Sequence, residues 1–304
     1  MKSRPVIVGL GEVLWDVYPD AAYFGGAPAN FASHAASLGA ESWLASAVGV
    51  DELGDRTLDT LRRHGVGSAC VARDLKHPTG RVDVTLDSLG RASYEFADNT
   101  AWDHIACSDA LDSLARRCDA VCFGTLAQRS SRSRDTIQLF VKTTPVRALR
   151  MFDVNLRKQF YDAAVIDQSL RLATALKLNE EELPIVARLC GVNESNPRDA
   201  MRALMNKYSL RLVALTRGPV GATLIAGGEE STSPALATTV VDTVGAGDAF
   251  TAAVVVDCLA GLPLSEVNEH ANAVASFVCS QPGAVSALPD YLTNPAPSGP
   301  NRLE

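Results

Sequence analysis

The stretch Thr238-Thr239-Val240-Val241-Asp242-Thr243-Val244-Gly245-Ala246-Gly247-Asp248-Ala249-Phe250 is the most informative in the chain. Thr238 to Val241 is β-branched and apolar, the composition expected of a buried strand. From Asp248 onward, Ala249 to Ala260 is long and apolar enough for a buried helix, and Gly261 supplies its stop. Gly245 and Gly247 lie between the two; without Cβ atoms they let backbone N–H groups approach a ligand closely. A run of such donors on a helix N-terminus is an anion site. Asp248 is then a carboxylate placed where the anion should go. Two readings of it stay open: an N-cap, a position that Asp fills well, or a general base. In the second reading, Asp248 takes a proton from an attacking hydroxyl while the glycine amides hold a transferring phosphate. Other phosphate loops are excluded by spacing. No Gly-Lys pair exists in the chain, and Phe250 occupies the third-glycine position of a dinucleotide fingerprint.

Outward from this loop the pattern is strand then helix, repeatedly. Strands are predicted at 6–9, 43–49, 120–124, 149–153, 176–179 and 212–216. Helices are predicted at 31–38, capped by Asn30 and ended by Gly39, at 51–64, at 134–141, from about Glu180, and around 271–275. That alternation predicts an α/β fold with a doubly wound, mostly parallel sheet whose ligands gather at the carboxyl ends of the strands. Gly9-Leu10-Gly11 follows the first strand, but Leu14 stands where a third glycine is needed, so it is no dinucleotide motif. Arg81 to Leu86 and Ala92 to Phe96 instead alternate, with a turn at Asp87-Ser88-Leu89-Gly90. They predict a hairpin with one apolar face, forming a small separate sheet with the piece at 12–24. One domain is expected over 1–290, this sheet inserted from 12–24 and 79–98, followed by a mobile tail at 291–304.

Composition narrows the function classes. A net charge of −7 and a pI near 5.3 argue against nucleic acid as a partner, though not against a nucleotide bound by local amides. Seven scattered cysteines form no CxxC pair and are expected as reduced thiols of a cytoplasmic protein. The opening apolar run is too short for a signal peptide, and no stretch offers a membrane span.

Asp242 to Asp248 matches in full the D-T-x-G-A-G-D motif of the ribokinase-like (PfkB) family of carbohydrate kinases. The resemblance runs from about Val6 to Pro289 and implies a ribokinase-like fold, with the small sheet as a lid over the sugar and as a homodimer contact. It makes Asp248 the base and Gly245, Ala246 and Gly247 the anion hole. Gly25, Gly26 and Asn30 match the G-G-x-x-x-N sugar motif, with Asp16 as its upstream acid; by themselves they read as a turn and an N-cap. Asp153-Val154-Asn155-Leu156-Arg157 resembles D-x-N-L-R, which makes Arg157 a phosphate clamp where an isolated arginine would read as surface. Asn179 and Glu182 fit N-x-x-E, implying a nucleotide contact and Mg²⁺ held through its waters. Thr216, Gly218 and Gly221 fit the nucleotide-side T-x-G-x-x-G, though the residues alone read equally as a hairpin turn into Ala222 to Ala226. Asn272 is implied as an adenine neighbour.

Val278 to Ala287 resembles the stretch that holds a monovalent cation, with Asp242, Val244, Val278, Gln281, Gly283 and Ala287 as ligands and K⁺ as the ion. Ala287 lacks the serine hydroxyl that some relatives carry there. The stretches Gly25 to Asn30, Ala101 to Asp103 and Phe123 to Arg129 look most like bacterial fructokinases. The implied reaction is D-fructose plus ATP giving fructose 6-phosphate. Rival substrates in the same family are 2-keto-3-deoxygluconate, ribose and a nucleoside. A keto acid would need a cation in the lid, for which Arg81 and Arg91 are available. A catalytically silent sugar or nucleotide sensor is the more distant rival, and the intact Asp248 and glycines speak against it.

Overall fold

The computed structural model describes residues 4–86 and 92–293, and the structural findings concern these residues. The first half holds strands Val6–Leu10 (β1), Leu14–Val17 (β2) and Ala22–Gly25 (β3), then helix Ala27–Ser37 (α1) and strand Glu41–Gly49 (β4). Helix Glu52–Arg63 (α2) and strands Val71–Asp74 (β5), Gly80–Leu86 (β6) and Ala92–Phe96 (β7) follow. A βα succession comes next: Asp109–Arg117 (α3), Ala120–Phe123 (β8), Ser131–Thr143 (α4), Leu149–Asp153 (β9), Ala163–Leu172 (α5) and Ala175–Asn179 (β10). Glu182–Leu189 (α6), Pro197–Tyr208 (α7) and Leu212–Thr216 (β11) complete it. The chain then makes the hairpin Ala222–Ala226 (β12) and Glu229–Ser233 (β13), and closes with Ala246–Ala260 (α8), Leu264–Cys279 (α9) and Asp290–Thr293 (α10).

Nine strands form the main sheet in the order β13-β12-β11-β10-β9-β8-β1-β4-β5. All neighbours pair in parallel except at β11–β12 and β12–β13. Because both faces are covered, strands such as Ala120-Val121-Cys122-Phe123 are buried throughout rather than alternating. On one face Ile7, Ala120, Met151 and Leu212 meet Phe31, Phe250, Val254 and Val274 of α1, α8 and α9. On the other, Val8, Val121, Phe152, Leu176 and Val213 meet side chains of α3 to α7. Helix α8 is apolar on nearly every side because it lies between the sheet, α1 and α9. Strand order reverses at β1, which lies between β4 and β8. A crevice at the carboxyl ends of the strands is therefore expected there. Gly9 and Gly11 serve packing: a Cβ on Gly9 would come within 2.1 Å of the Pro28 carbonyl oxygen at the start of α1.

The second sheet runs β3-β2-β6-β7, the arrangement expected of the lid. Register places Leu14, Asp16, Tyr23, Val82, Val84, Tyr94 and Phe96 on one face, and Trp15, Phe24, Arg81, Asp83 and Glu95 on the other. Trp15 fixes the outer face to α2 by donating to the Leu53 carbonyl and to Thr57 Oγ1. The turn Asp87 to Gly90 and Arg91 lie outside the described residues.

Four expectations fail. Thr238 to Val241 is no buried strand: it joins neither sheet, the amides of Val241 and Asp242 donate instead to the Cys279 carbonyl at the end of α9, and Val240 and Val241 are about 60% exposed. Helix α8 starts at Ala246 with Gly245 as its N-cap, two residues before Asp248. Helix α1 starts at Ala27, capped by Gly26 with Pro28 in the first turn, so Asn30 is inside the helix and not its cap. The segment after Pro289 begins as a helical turn, α10, whose Leu292 is buried and whose carbonyl meets His270 Nε2; only residues from Asn294 lie outside the described part.

Candidate active site

At the carboxyl end of the sheet, the loop before α8 meets the start of α1. Gly245 adopts the left-handed conformation (φ +79°), and a Cβ there would lie 2.1 Å from the Ala284 carbonyl oxygen. Only glycine fits this turn. Of the first N–H groups of α8, that of Ala246 turns back to the Thr243 carbonyl at 3.4 Å, while those of Gly247 and Asp248 have no intrahelical partner and point to an anion position. Asp248 stands in this first turn, and its Oδ2 accepts a 2.8 Å hydrogen bond from Asn30 Nδ2. Two sequence motifs 218 positions apart thus meet through a side-chain hydrogen bond. Neither residue is a cap, so both polar groups are free of local backbone duty and face the crevice.

Burial raises the Asp248 pKa to about 6, and the Asp153 carboxylate adds to this; the Asn30 bond, Lys177 and Arg157 pull the other way. Beneath the loop lies a buried cluster that motif reading passed over. Lys177 Nζ donates to Asp153 Oδ1 at 3.1 Å, and Thr251 Oγ1 donates to Asp153 Oδ2 at 2.8 Å. A Cβ on Gly247 would come within 3.2 Å of Lys177 Nζ, so the ammonium sits just behind the anion loop. Burial opposes its charge, but Asp153, Glu182 and Asp248 outweigh that and keep Lys177 protonated. The signal in the sequence was a lysine inside the otherwise apolar run Ala175-Leu176-Lys177-Leu178, since a buried lysine requires a partner.

Glu12 was also missed. It follows β1 at the strand-order reversal and is buried; burial pushes its pKa to about 7, opposed by backbone amides and raised further by Asp248. Its Oε2 and the Oδ1 of Asn30 are buried oxygens without a protein partner. Asp16, half-buried on the face of the second sheet that carries Leu14 and Val82, has its pKa raised by burial and lowered by Arg157. Gly25 is close-packed against it, a Cβ there falling 3.3 Å from Asp16 Oδ2, and Gly26 (φ +103°) lets the chain enter α1 against the Glu12 and Val13 backbone. Asp16, Asn30 and Glu12 together form an acceptor-rich floor suited to hydroxyl groups.

Arg157 is exposed, on a loop where Asn155 and Lys158 take positive φ. Its charge reaches Glu12, Asp16 and Asp248. Glu182 holds this loop in place. One carboxylate oxygen accepts from Leu156 N and the other from Asn179 N, both at 2.8 Å, while Asn179 Oδ1 accepts from the amides of Glu181 and Glu182. The N-x-x-E pattern is therefore a reciprocal cap on α6 that also fixes the arginine loop. Each Glu182 oxygen retains a lone pair for a water of a hydrated Mg²⁺, so the residue fits that ion.

In the T-x-G-x-x-G stretch, Thr216 ends β11, and Gly218 and Gly221 take positive φ in the turn of the β11–β12 hairpin. Gly221 is required by packing, since a Cβ would fall 2.1 Å from the Ser233 carbonyl oxygen; around Gly218 the space is open. Asn272 is buried in α9, and its Nδ2 donates to Asn268 O and Oδ1. Asp242 bridges the proposed cation segments, accepting from Val244 N at 3.0 Å and Gly283 N at 3.1 Å. Val278 lies in the last turn of α9 and its carbonyl accepts from Gln281 N; the structure shows no side-chain role for Ala287.

Two of the fructokinase-like stretches meet at the root of the second sheet. Arg129 bonds Asp103 at 2.8 Å through two nitrogens and the Ala97 carbonyl at the end of β7, with its guanidinium 4.1 Å from the Trp102 ring. Gly80, the first residue of β6, abuts that indole.

The pfkB family carbohydrate kinase model matches residues 20–291. The chain belongs to this family. The uncharacterized sugar kinase PH1459 of Pyrococcus horikoshii is 30% identical to this kinase over 300 residues, covering 92% of each chain. Its structure in complex with ATP superposes with a TM-score of 0.78, covering 92% of the kinase and 93% of that chain at 29% identity. A fructokinase of Klebsiella pneumoniae is 29% identical over 301 residues, covering 92% of the kinase and 95% of the relative. The fructokinase of Xylella fastidiosa with bound ATP shares the fold, with a TM-score of 0.81 at 22% identity over 93% of the kinase and 95% of that chain. The protein is thus a sugar kinase, a phosphotransferase with a ribokinase-like fold. Among the described residues no helix is long and apolar enough to cross a membrane, and all seven cysteines are free thiols.

Proposed function

We propose that this kinase transfers the γ-phosphate of ATP to fructose, giving fructose 6-phosphate. The observation that carries the transfer chemistry is the Asn30–Asp248 hydrogen bond at the open N-terminus of α8. A carboxylate held beside unpaired helix amides can take the proton of a hydroxyl as that oxygen attacks phosphorus. The amides from Gly245 to Gly247 then receive the charge on the equatorial phosphoryl oxygens, and ADP leaves on the opposite side. Lys177 lies behind those amides, and Arg157 reaches the phosphates from its loop. Glu182 and Asn179 would face the waters of Mg²⁺, which neutralises phosphate charge when bound. Thr216, Gly218 and Gly221 border the nucleotide, and the carbonyls around Asp242, Val244, Val278, Gln281, Gly283 and Ala287 would hold K⁺. The lid closes over the sugar and supplies the surface for a homodimer.

Fructose is favoured by the fructokinase relatives and by the inner face of the lid. Its described residues are Leu14, Asp16, Tyr23, Val82, Val84, Tyr94 and Phe96, none of them a cation. Arg81 points to the outer face and pairs with Asp83 at 3.3 Å, so it does not serve a keto-acid carboxylate; Arg91 lies outside the described residues. A coupled ADP-release assay across fructose, ribose, 2-keto-3-deoxygluconate and adenosine tests the assignment. Fructose should give the highest kcat/KM, and a preference for any of the others would replace it.

A further inference from the structure

Helix α1 carries Asn30 and His34 one turn apart, on the same face. Asn30 holds Asp248. His34 has no exposed surface, and its Nε2 lies 2.9 Å from the carbonyl oxygen of Ala284. Ala284 is also the residue against which the anion-loop turn rests. A Cβ on Gly245 would fall 2.1 Å from the Ala284 oxygen and 2.7 Å from its Cα. One helix face therefore grips the loop at two points: at Asp248 directly, and behind Gly245 through Ala284.

The hydrogen-bond chemistry fixes the state of the imidazole. A carbonyl can only accept, so Nε2 must carry the hydrogen. Nδ1 is then the bare nitrogen; it is buried and has no partner in the protein. Burial pushes the His34 pKa down to about 4, opposed by the Ala284 bond and lowered further by His64, so the ring is neutral at physiological pH. A residue needed only to fill this space could be apolar. An imidazole here leaves one polar atom unsatisfied, a standing cost that only the Ala284 bond offsets.

We propose that His34 is a positioning residue for phosphoryl transfer. Its Nε2–H bond to Ala284 sets the backbone wall behind Gly245, and so the placement of the anion-hole amides relative to Asp248. The proposal rests on reading Asp248 and Gly245 to Gly247 as the transfer site. A shift of the amides by a fraction of an ångström would weaken the transition state more than sugar binding, because the sugar is held by Asp16 and Asn30.

His34→Leu keeps the bulk and removes the donor, whereas His34→Gln keeps an N–H near the Nε2 position. With fructose, or whichever sugar wild type phosphorylates best, the Leu variant should lose at least about 10-fold in kcat, up to the roughly 10²-fold that a small misplacement costs. Its sugar KM should stay within about 3-fold of wild type, and the Gln variant should recover most of kcat, margins set well inside that same loss. Wild-type kcat in the Leu variant, or equal losses in both, would overturn the proposal. If the Leu variant does not fold, ¹⁵N-histidine NMR of wild type decides: the Nε2–H tautomer at His34 supports the proposal and the Nδ1–H tautomer refutes it. Asp248→Asn, measured alongside, separates the two levels. Retained activity there defeats the transfer-site reading, whereas an inactive Asp248→Asn beside a fully active His34→Leu defeats only the role of His34.

Discussion

Replacing Asp248 by Asn should cost activity and add stability. Ionising Asp248 in the folded protein is unfavourable, since its pKa stands at about 6 against 3.8 for an ordinary aspartate. That difference of about two units corresponds to roughly 3 kcal/mol at neutral pH. The carboxylate is only partly buried, so solvent entering the crevice makes this figure a ceiling. The folded state holds its proton up to about pH 6, whereas the unfolded chain releases it near 3.8. Stability from this group is therefore present below pH 3.8 and lost as pH rises through 6. Asn does not titrate, so its advantage over wild type is complete above pH 6 and vanishes toward 3.8. Against it stands the charge-assisted bond from Asn30, whose weakening costs about 1 kcal/mol. The net gain at pH 8 is about 1–2 kcal/mol, which raises Tm by a few degrees in a domain of this size. Catalysis should move the other way, kcat falling by roughly 10²–10⁴-fold as the base is lost. Urea denaturation at pH 8 and pH 4.5, with the coupled ADP-release assay, reads both effects. A variant less stable than wild type at pH 8, or one that keeps most of its activity, would refute the reasoning.

Other consequences can be checked separately. In wild type, kcat/KM should fall as pH drops through about 6, because Asp248 must be ionised to accept a proton, and the acid limb should be absent in Asp248→Asn; a profile flat to pH 5 would contradict this. If the second sheet is a lid, sugar should protect the amides of 14–25 and 80–96 from hydrogen exchange more than ATP alone does, and equal protection by both would remove that role. Adding K⁺ to a buffer free of Na⁺ and K⁺ should raise kcat, and Asp242→Asn, which loses the bridge between Val244 and Gly283, should need more K⁺ for the same rate; a flat response in both discards the cation site. Arg81→Ala should leave sugar KM unchanged within about 2-fold, since its exposed pair with Asp83 contributes little; a large KM rise would bring the keto-acid substrates back.

The chain's own sequence determined the fold class and the composition of the site. Short buried strands alternating with helices can only assemble as a covered parallel sheet, and its polar residues cluster at strand ends because nothing else there faces solvent. The loop from Asp242 to Asp248 was legible because glycine and aspartate at that spacing serve few purposes other than holding a charge. Tertiary structure decided what each polar residue does there. Asn30 reads as a cap and Asp248 as either a cap or a base, because local sequence shows only the nearest backbone amides; their actual partners are each other, 218 positions apart. Thr238 to Val241 reads as a strand because β-branched residues favour extended backbone, yet its last amides are taken by the Cys279 carbonyl at the end of α9, a partner that only the tertiary structure brings there. Lys177, Glu12 and His34 carry no motif. Their standing comes from burial beside the loop, and burial is a property of how distant segments pack.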